Sequence, residues 1–453
     1  MSAASQAVER HARQMQKQAP KSDDRADRGK RRSRSRSCRA NNGSSHRGAQ
    51  EAAKSSEDLG GMATPSEKNN SSSYEYYSEY TVTSEENQKQ AKKEDKKEDI
   101  VHFDWKADML LDGRYRVLQL LGDGTFGRVL LAMDERRDRQ VAIKVIRDVE
   151  KYRRCAKREA ELLADIREAD PDETSRCVHL HGKFLHDGRF FCLVSEVLGA
   201  SLYDVLKHNR YRGFYMQDIQ TIMKECLEAL SFLHDKLHMT HTDLKLENVL
   251  FAHEAVRPAT FPREDKQASS RHRNQQYVRP VRAAIKLIDF GNATYDDDHH
   301  SSVINTRQYR GPEVVLQVGW NQRSDLWSMG CILLETYTGE LLFRTHANLE
   351  HLALMEKIIA PLPQYMFDDA STLAKQECLV EDRGHWELRR SELMSDAAAS
   401  KKLRTVKPLA DLVLHEHRSL VQCAALILRP EPNERPPATE VLKHPFFSAQ
   451  FSD

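Results

Sequence analysis

The chain has 453 residues, of which 30% are charged and 39% hydrophobic, and its 69 Lys and Arg nearly balance 68 Asp and Glu. No apolar run approaches the roughly 18 residues of a membrane span, and no apolar leader follows Met1, so neither membrane insertion nor export is expected. The eight cysteines include no C-x-x-C pair, which argues against a zinc ribbon or a disulfide framework and favours reduced thiols inside a cell.

The net charge of +1 hides an uneven distribution along the first hundred residues. Residues 1–50 hold 13 Lys or Arg against 4 Asp or Glu, whereas residues 51–100 hold 7 against 12. The four large aliphatic side chains in residues 1–100 are too few to offset the entropy of ordering, so this segment is predicted to be a disordered tail. The run KRRSRSRS at residues 30–37 is either a solvated basic tail or one of three functional elements: a nuclear import signal, a phosphate or RNA contact, or a phosphorylation target.

Ordered structure is expected from about residue 101. Strand-like runs at 115–121, 128–133 and 140–147 are separated by glycines or by a charged turn. An amphipathic helix is predicted over 153–168, and a second helix of about four turns over 219–233. Strands followed by helices predict an α+β chain with a small sheet-rich lobe and a larger helical lobe.

A G-x-G-x-x-G motif lies between the first two predicted strands, with Gly122, Gly124 and Gly127 as its glycines. A dinucleotide-binding fold would place a helix after such a loop, whereas here a strand follows it. Glycines in a strand hairpin let backbone amides approach phosphate groups without obstruction from side chains. The motif therefore indicates a phosphate-binding hairpin.

Lys144 lies in the apolar strand V-A-I-K-V, where an unpaired ammonium group would be costly. Glu159 is on the apolar face of the following helix and is the natural partner. Lys144 could then bridge Glu159 and a phosphate oxygen; the alternative is a surface lysine on an edge strand.

Two later motifs add acidic and amide groups. Asp243 and Asn248 are five residues apart in the loop H-T-D-L-K-L-E-N, with Lys245 between them, and Asp289 follows a strand in K-L-I-D-F-G. A carboxylate that orients a hydroxyl, a lysine that neutralises phosphate, and carboxylate and amide oxygens that bind Mg²⁺ are the groups that phosphoryl transfer requires.

These motifs in this order resemble those of a eukaryotic protein kinase, over about residues 110–448. The resemblance extends to Gly311-Pro312-Glu313, to the segment D-L-W-S-M-G that begins at Asp325, and to Arg435, which in the family pairs with the glutamate of the first of these. Residues 350–358, EHLALMEKI, are similar to the EHLAMMERI signature of the LAMMER, or CDC-like, kinases, and residues 289–313 and the triplet His-Thr-Asp match that family too.

The resemblance implies a bilobal fold, with a small lobe at 101–198, a large lobe at 199–448 carrying inserts at 252–284 and 364–408, and a tail at 449–453. It also implies that ATP and Mg²⁺ are the cofactors. Asp243 is then the catalytic base, Lys245 stabilises the γ-phosphate, and Asn248 and Asp289 bind Mg²⁺. The other nucleotide-binding residues that the resemblance implies are Leu121, Gly122, Gly124, Gly127, Val129, Ala142, Lys144, Glu159, Ser195, Glu196, Leu198 and Leu250.

Several positions depart from the family pattern. Thr242 replaces an Arg that in many kinases binds an activation-loop phosphate, so activity without that phosphate is expected. Ser195 replaces a Phe before the hinge and is expected to open a back pocket beside adenine. Leu246 and Gly311 replace Pro and Ala, which predicts a looser substrate-docking floor. The six arginines of the 252–284 insert leave two interpretations open, a solvated hairpin or a contact with a partner or a phosphate.

The resulting functional hypothesis is a monomeric, Mg-ATP-dependent Ser/Thr kinase, with Tyr autophosphorylation, that acts on Arg/Ser-rich or basic nuclear proteins in pre-mRNA splicing. The nucleus, and secondarily the cytoplasm, is the expected location. Direct nucleic-acid binding is expected only weakly, through the tail. The alternatives are a divergent LAMMER-type kinase of chromosome segregation at the kinetochore, an SR-protein-kinase-like enzyme, and a pseudokinase scaffold.

Overall fold

The structure is a computed structural model that describes residues 102–263, 277–298 and 300–451. The predicted disordered tail at 1–100, with its Arg/Ser run, lies outside these residues, as do Arg271 and Arg273 of the first insert. Within the described part of the chain, no helix combines the length and the apolar character that crossing a membrane would need.

The first part of the structure is a six-stranded antiparallel sheet in the order β1-β2-β3-β4-β6-β5. Three of its strands confirm the predicted strand runs, with bounds shifted by one or two residues. The strands are β1 Leu110–Leu111, β2 Tyr115–Asp123, β3 Gly127–Asp134, β4 Arg139–Ile146, β5 Leu180–His186 and β6 Phe190–Ser195.

Helix α1, Glu150–Ala169, lies between β4 and β5 and confirms the first predicted helix. Its apolar residues recur at helical spacing, and Leu162, Leu163 and Ile166 are buried in the main core. Glu159 is buried on the same helix. A buried carboxylate on the apolar face of a helix needs a cationic partner, and α1 thereby determines where Glu159 meets the sheet.

The second part of the structure is mainly helical. The predicted second helix is confirmed as α3, which continues into one π-helical turn at Phe232–Lys236. The helices of this second part, up to residue 358, are α2 Leu202–His208, α3 Met216–Ser231, α4 Pro312–Leu316, α5 Arg323–Thr338 and α6 Asn348–Ile358. The chain between α3 and α4 forms two short strand pairs, with loops connecting their strands. The pairs are β8 Val249–Phe251 with β11 Ile285–Leu287, and β7 Met239–Thr240 with β12 Thr294–Tyr295.

The insert at 252–284 forms a hairpin of β9 Val256–Ala259 and β10 Tyr277–Pro280. Two arginines of this insert are hydrogen-bonded to other parts of the protein. Arg279 Nε and Nη2 donate to the Asp218 carboxylate at 2.7 and 3.0 Å, and Arg263 donates to the carbonyls of Phe214 and Tyr337 at 2.9 and 2.7 Å. The predicted hairpin is present, but these two arginines are neither simply solvated nor left for an outside partner, because they bond to Asp218 on α3, to Phe214 before α3 and to Tyr337 on α5.

The insert at 364–408 consists of short helices and one pair of strands. Its elements are α7 Gln364–Asp368, α8 Thr372–Cys378, β13 Leu379–Asp382, β14 His385–Leu388, α9 Arg390–Ser395 and α10 Ala397–Thr405. Helix α6, which carries the EHLALMEKI signature, holds it in place, because Glu350 Oε1 accepts from Lys402 Nζ at 2.6 Å and Glu356 pairs with Arg390. The chain then continues through α11 Arg418–Ile427 and α12 Ala438–Val441.

His351, in the same signature, is fully buried against the Phe343 ring, and neither ring nitrogen has a hydrogen-bond partner among the described residues. Burial, with repulsion from Arg310 and Arg307, lowers the pKa of His351 to about 3. The unfolded chain therefore binds a proton between pH 6.5 and 3 that the folded chain resists, so stability falls as the pH drops through this window.

We expect His351→Leu to remove this dependence. Between pH 7 and pH 5 the wild-type free energy of unfolding should fall by roughly 2 kcal/mol more than that of the variant, a difference that follows from the depressed pKa. Urea unfolding at the two pH values measures it. Equal losses in both proteins would show that His351 is protonated normally in the folded chain.

Candidate active site

One face of the six-stranded sheet carries four of the predicted nucleotide-binding side chains. Val129 is directly opposite Lys144 across β3 and β4, and Ala142 is opposite Ser195 across β4 and β6. Directly paired residues share a face, and residues two apart on one strand share it as well. Val129, Ala142, Lys144 and Ser195 therefore point to the same side of the sheet.

The predicted glycine hairpin connects β2 and β3 at the edge of that face, after the half-buried Leu121. Gly124 N donates to Gly127 O at 2.9 Å and closes the turn. At Gly127 a Cβ atom would lie 2.1 Å from the Val145 carbonyl oxygen, so only glycine fits against β4 there. A Cβ at Gly122 would meet nothing within 4 Å, which leaves the backbone at that end of the hairpin open to a ligand.

The hinge between the two parts follows β6. The Glu196 carboxylate accepts from His179 N at 3.0 Å and pairs with Lys286 Nζ at 2.8 Å, so its side chain is bonded within the protein. Leu198 is half-buried against the main core. Leu250 lies across from the hinge on β8, in a bridge to Ser201. The hinge and β8 thus meet where the resemblance places adenine.

Lys144 and Glu159 form the ion pair that the sequence predicts. Lys144 Nζ is 2.9 and 2.8 Å from the two Glu159 oxygens and 3.4 Å from Asp289 Oδ1. Burial alone would lower the pKa of Lys144, but attraction to Glu159 and Asp289 outweighs burial and raises it well above its usual range. The charge of Lys144 lowers the pKa of Asp289 in turn. Lys144 and Asp289 are therefore both ionised, and they lie side by side in the cleft. Burial raises the pKa of Glu159, and attraction to Lys144 opposes that effect.

Asp289 follows β11 with a φ of 63°, in the left-handed region that few residues other than glycine, asparagine and aspartate adopt. The pairing of β8 with β11 brings Asn248 beside it, and Ile288 N donates to Asn248 O at 3.0 Å. Asn248 Nδ2 donates to Asp243 O at 2.8 Å, which turns the amide oxygen the other way. Asn248 is thus joined to the Asp243 loop through its side chain and, through its backbone, to Ile288, the residue before Asp289.

The Asp243 carboxylate lies at the centre of a small polar network. Lys245 Nζ donates to Oδ2 at 2.7 Å, and Thr306 Oγ1 and N donate to Oδ1 at 2.7 and 3.1 Å. Burial would lower the pKa of Lys245, but Asp243 raises it above the usual value. A carboxylate held between an ammonium group and a hydroxyl is well placed to accept a hydrogen bond from a second hydroxyl.

Asp325, at the first turn of α5, holds the loop that carries Asp243. Asp325 is fully buried, and its carboxylate accepts from His241 N at 2.8 Å and Thr242 N at 3.0 Å. His234 Nε2 contacts it at 2.9 Å. Thr242, with a φ of 65°, also donates from Oγ1 to Asn292 O at 2.7 Å, which joins the Asp243 loop to the turn after Asp289.

The predicted pairing of Arg435 with Glu313 is confirmed. Arg435 Nη1 and Nη2 are 2.6 and 2.8 Å from the two Glu313 oxygens, and both side chains are fully buried. A Cβ at Gly311 would lie 2.4 Å from Glu313 Oε2, and Leu246 is fully buried. The Glu313 carboxylate thus occupies the place that an alanine methyl would take at Gly311, and the Leu246 side chain is part of the main core. The looser substrate-docking floor stays a prediction.

Comparisons with known proteins agree with this geometry. The protein kinase domain family matches residues 115–447. Dual specificity protein kinase CLK1 of Mus musculus is 37% identical over 350 residues, 76% of this chain and 68% of that protein, and serine/threonine-protein kinase AFC1 of Arabidopsis thaliana is 38% identical over 77% and 73% of the two chains. The chain belongs to the LAMMER, or CDC-like, family of protein kinases.

A solved structure of a kinase domain has a similar fold. The crystal structure of a kinase domain is 40% identical, covers 77% of this chain and 99% of its own, and superposes with a TM-score of 0.69. Dual specificity protein kinase CLK2 of Mus musculus, at 38% identity, is matched over 64% of its length, so this chain spans about two thirds of these relatives.

A protein kinase of this family uses ATP and a divalent cation, and the residues present fit such a pair. Among the described residues there is no group of three or more His, Cys, Asp or Glu that could hold an ion unaided. The Asp289 carboxylate and the Asn248 amide oxygen are hard ligands of the kind that Mg²⁺ prefers when phosphate oxygens complete its shell. The donor set therefore suits a cation that arrives with a nucleotide.

Two residues of this LAMMER kinase site escaped prediction as site residues. Thr306, which touches both Asp243 and Lys245, is 63 residues from Asp243, and nothing local marks it. Asp325 did carry a signal, since it is an acidic residue beside Leu326 and Trp327 at the start of an apolar helix. A carboxylate that must be buried there needs donors, and the backbone of the Asp243 loop supplies them.

Proposed function

We propose that this chain transfers the γ-phosphate of Mg-ATP to Ser and Thr hydroxyls of Arg/Ser-rich nuclear proteins. It also transfers this phosphate to its own Tyr hydroxyls. The arrangement that carries the proposal is the joined pair of networks, Lys144–Glu159–Asp289 and Asp243–Lys245–Thr306. Every charged group that phosphoryl transfer requires is present and ion-paired or hydrogen-bonded within the protein, which counts against a pseudokinase scaffold.

In this mechanism Asp243 accepts a hydrogen bond from the substrate hydroxyl and orients its oxygen. Lys245, held against Asp243, places positive charge beside the transferring group and stabilises the charge that develops there. Lys144, fixed by Glu159, positions the α- and β-phosphates. Asn248 and Asp289 would hold the metal, and Mg-ATP, when bound, supplies the phosphoryl group.

The nucleotide is bound, on this proposal, across the sheet face and the hinge. Gly122, Gly124 and Gly127 cover the phosphates, and the apolar residues above and below the cleft enclose adenine, with backbone atoms of the hinge bonding its edge. The residues that enclose or bond adenine are Leu121, Val129, Ala142, Ser195, Glu196, Leu198 and Leu250.

The proposed substrate class follows from charge and composition. Residues 101–453 carry a small net negative charge, while the Arg/Ser run at 30–37 resembles the substrate class itself. We expect kcat/KM for an Arg/Ser repeat peptide to exceed that for an Ala/Ser peptide of equal length by at least about tenfold. Equal values for the two peptides would remove the Arg/Ser assignment.

A cellular experiment separates the splicing role from the kinetochore role. Phosphoproteomics after acute inhibition should show loss of phosphate from spliceosomal proteins if the proposal is right. Loss confined to kinetochore proteins would replace the splicing role by one in chromosome segregation.

A further inference from the structure

The segment that follows Asp289 is attached to α1 by two polar contacts. Arg158 Nη2 is 2.6 Å from Asp298 Oδ2, and each side chain is 32% exposed. Earlier in the same segment, the Tyr295 hydroxyl donates to Asp165 Oδ2 at 2.6 Å. The two contacts lie two turns apart along α1, so together they fix both the position and the rotation of the helix.

The contacts are reinforced within the segment itself. Tyr295 N donates to Asp298 Oδ2 at 3.4 Å, and Asp298 N donates to Tyr295 O at 3.2 Å. The Arg158 guanidinium lies 5.6 Å from the centroid of the Tyr295 ring. Arg158 also approaches Glu161 Oε2, at 3.8 Å, but that carboxylate is 60% exposed and lies on the same helix, so it cannot link the two elements.

Arg158 is adjacent in sequence to Glu159, whose carboxylate must reach Lys144 on β4. A small rotation of α1 would break that ion pair, because neighbouring residues on a helix move together. The fixed negative charge of Asp298 thus acts on the same helix turn that positions Glu159.

We propose that Asp298, acting through Arg158, is a built-in substitute for an activating phosphate on this segment, and that Arg158, Asp298 and Tyr295 are positioning residues that hold α1 where Glu159 meets Lys144. The inference rests on the proposed kinase function. The presence of Thr242 in place of Arg predicts that the enzyme is active without phosphorylation of this segment. The pair gives a physical reason for that activity, because Asp298 supplies the negative charge and Arg158 of α1 supplies the arginine that binds it.

The test uses the full chain and two kinds of readout. Arg158→Met and Asp298→Asn should each lower kcat for an Arg/Ser peptide by about three- to tenfold, the range expected when a partly exposed ion pair is lost. Amide hydrogen exchange along α1 should rise by a similar factor in both variants, with an unchanged rate in α3. The charge-swapped double variant Arg158→Asp/Asp298→Arg should recover both quantities, and Glu161→Gln should leave them at wild-type values.

Wild-type kcat and α1 exchange in both single variants would overturn the inference, as would a double variant no better than the singles. Treatment of the wild type with a protein phosphatase should leave its kcat unchanged, and inactivation by that treatment would also overturn it. Absence of transfer by the wild type would refute the proposed function instead, while the exchange measurement would still decide whether the pair holds α1.

Discussion

Asp243→Asn should reduce turnover by roughly 10²–10⁴-fold, the contribution typical of a positioned proton acceptor. The asparagine side chain has nearly the same shape, but it carries no negative charge and cannot take up a proton. Its oxygen could still accept from Thr306, whose hydroxyl is 2.7 Å from Asp243 Oδ1, so the loop should keep its conformation. Lys245 would lose its anionic partner at 2.7 Å.

Steady-state phosphorylation of an Arg/Ser peptide measures the effect. Calorimetric titration with Mg-ATP should give a Kd within about threefold of the wild-type value, because Asn248 bonds to the Asp243 backbone carbonyl, which the substitution keeps. Asp187→Asn is a matched control, because Asp187 lies in the turn between β5 and β6 with 79% of its side chain exposed. Full turnover in Asp243→Asn would refute the assignment of Asp243 as the base.

Arg435→Met should destabilise the folded chain by about 3–5 kcal/mol, which is the usual cost of leaving one partner of a buried ion pair uncompensated. Glu313 has 0% exposure, and among the described residues it would retain only the Ser324 hydroxyl, at 3.0 Å, as a side-chain donor. Three carbonyls that accept from Arg435, those of Arg429, Arg323 and Pro430, would lose this donor as well.

Urea unfolding followed by circular dichroism measures this loss. Lys443→Met removes one partner of the exposed Lys443–Glu440 pair, at 71% and 55% exposure, and should cost less than about 1 kcal/mol. The double variant Arg435→Met/Glu313→Gln should recover part of the loss, because it removes the buried charge. A single variant as stable as the Lys443→Met control would contradict the account of this pair.

The sequence predicts well those parts of the site that depend on local pattern. Lys144 and Glu159 could be paired in advance, because an ammonium group in an apolar strand and a carboxylate on the apolar face of the next helix each need the other. The glycine hairpin could be recognised from the strands on both sides of it. Both inferences use residues close together in the chain and the periodicity of one element.

The parts that the sequence does not predict depend on distant contacts. The burial of Arg279 against Asp218 and of Arg263 against the carbonyls of Phe214 and Tyr337 requires knowledge of where the 252–284 hairpin meets the helices. The helices of the 364–408 insert are short, and helices of that length gain their stability from tertiary packing more than from propensity. The contacts of Thr306 with Asp243 and of Asp298 with Arg158 can be recognised only when the position of the segment after Asp289, relative to the Asp243 loop and α1, is known.

The central claim is that the two joined networks transfer phosphate from ATP to protein hydroxyls. Incubation of the full chain with Mg²⁺ and γ-labelled ATP, with an Arg/Ser peptide as acceptor, tests it most directly when Asp289→Asn is measured in parallel. The account predicts label on peptide serines with the wild type and at least about a 100-fold lower rate with the variant, which lacks the carboxylate proposed to bind the metal. Unlabelled peptide with the wild type, or equal rates for the two proteins, would contradict it.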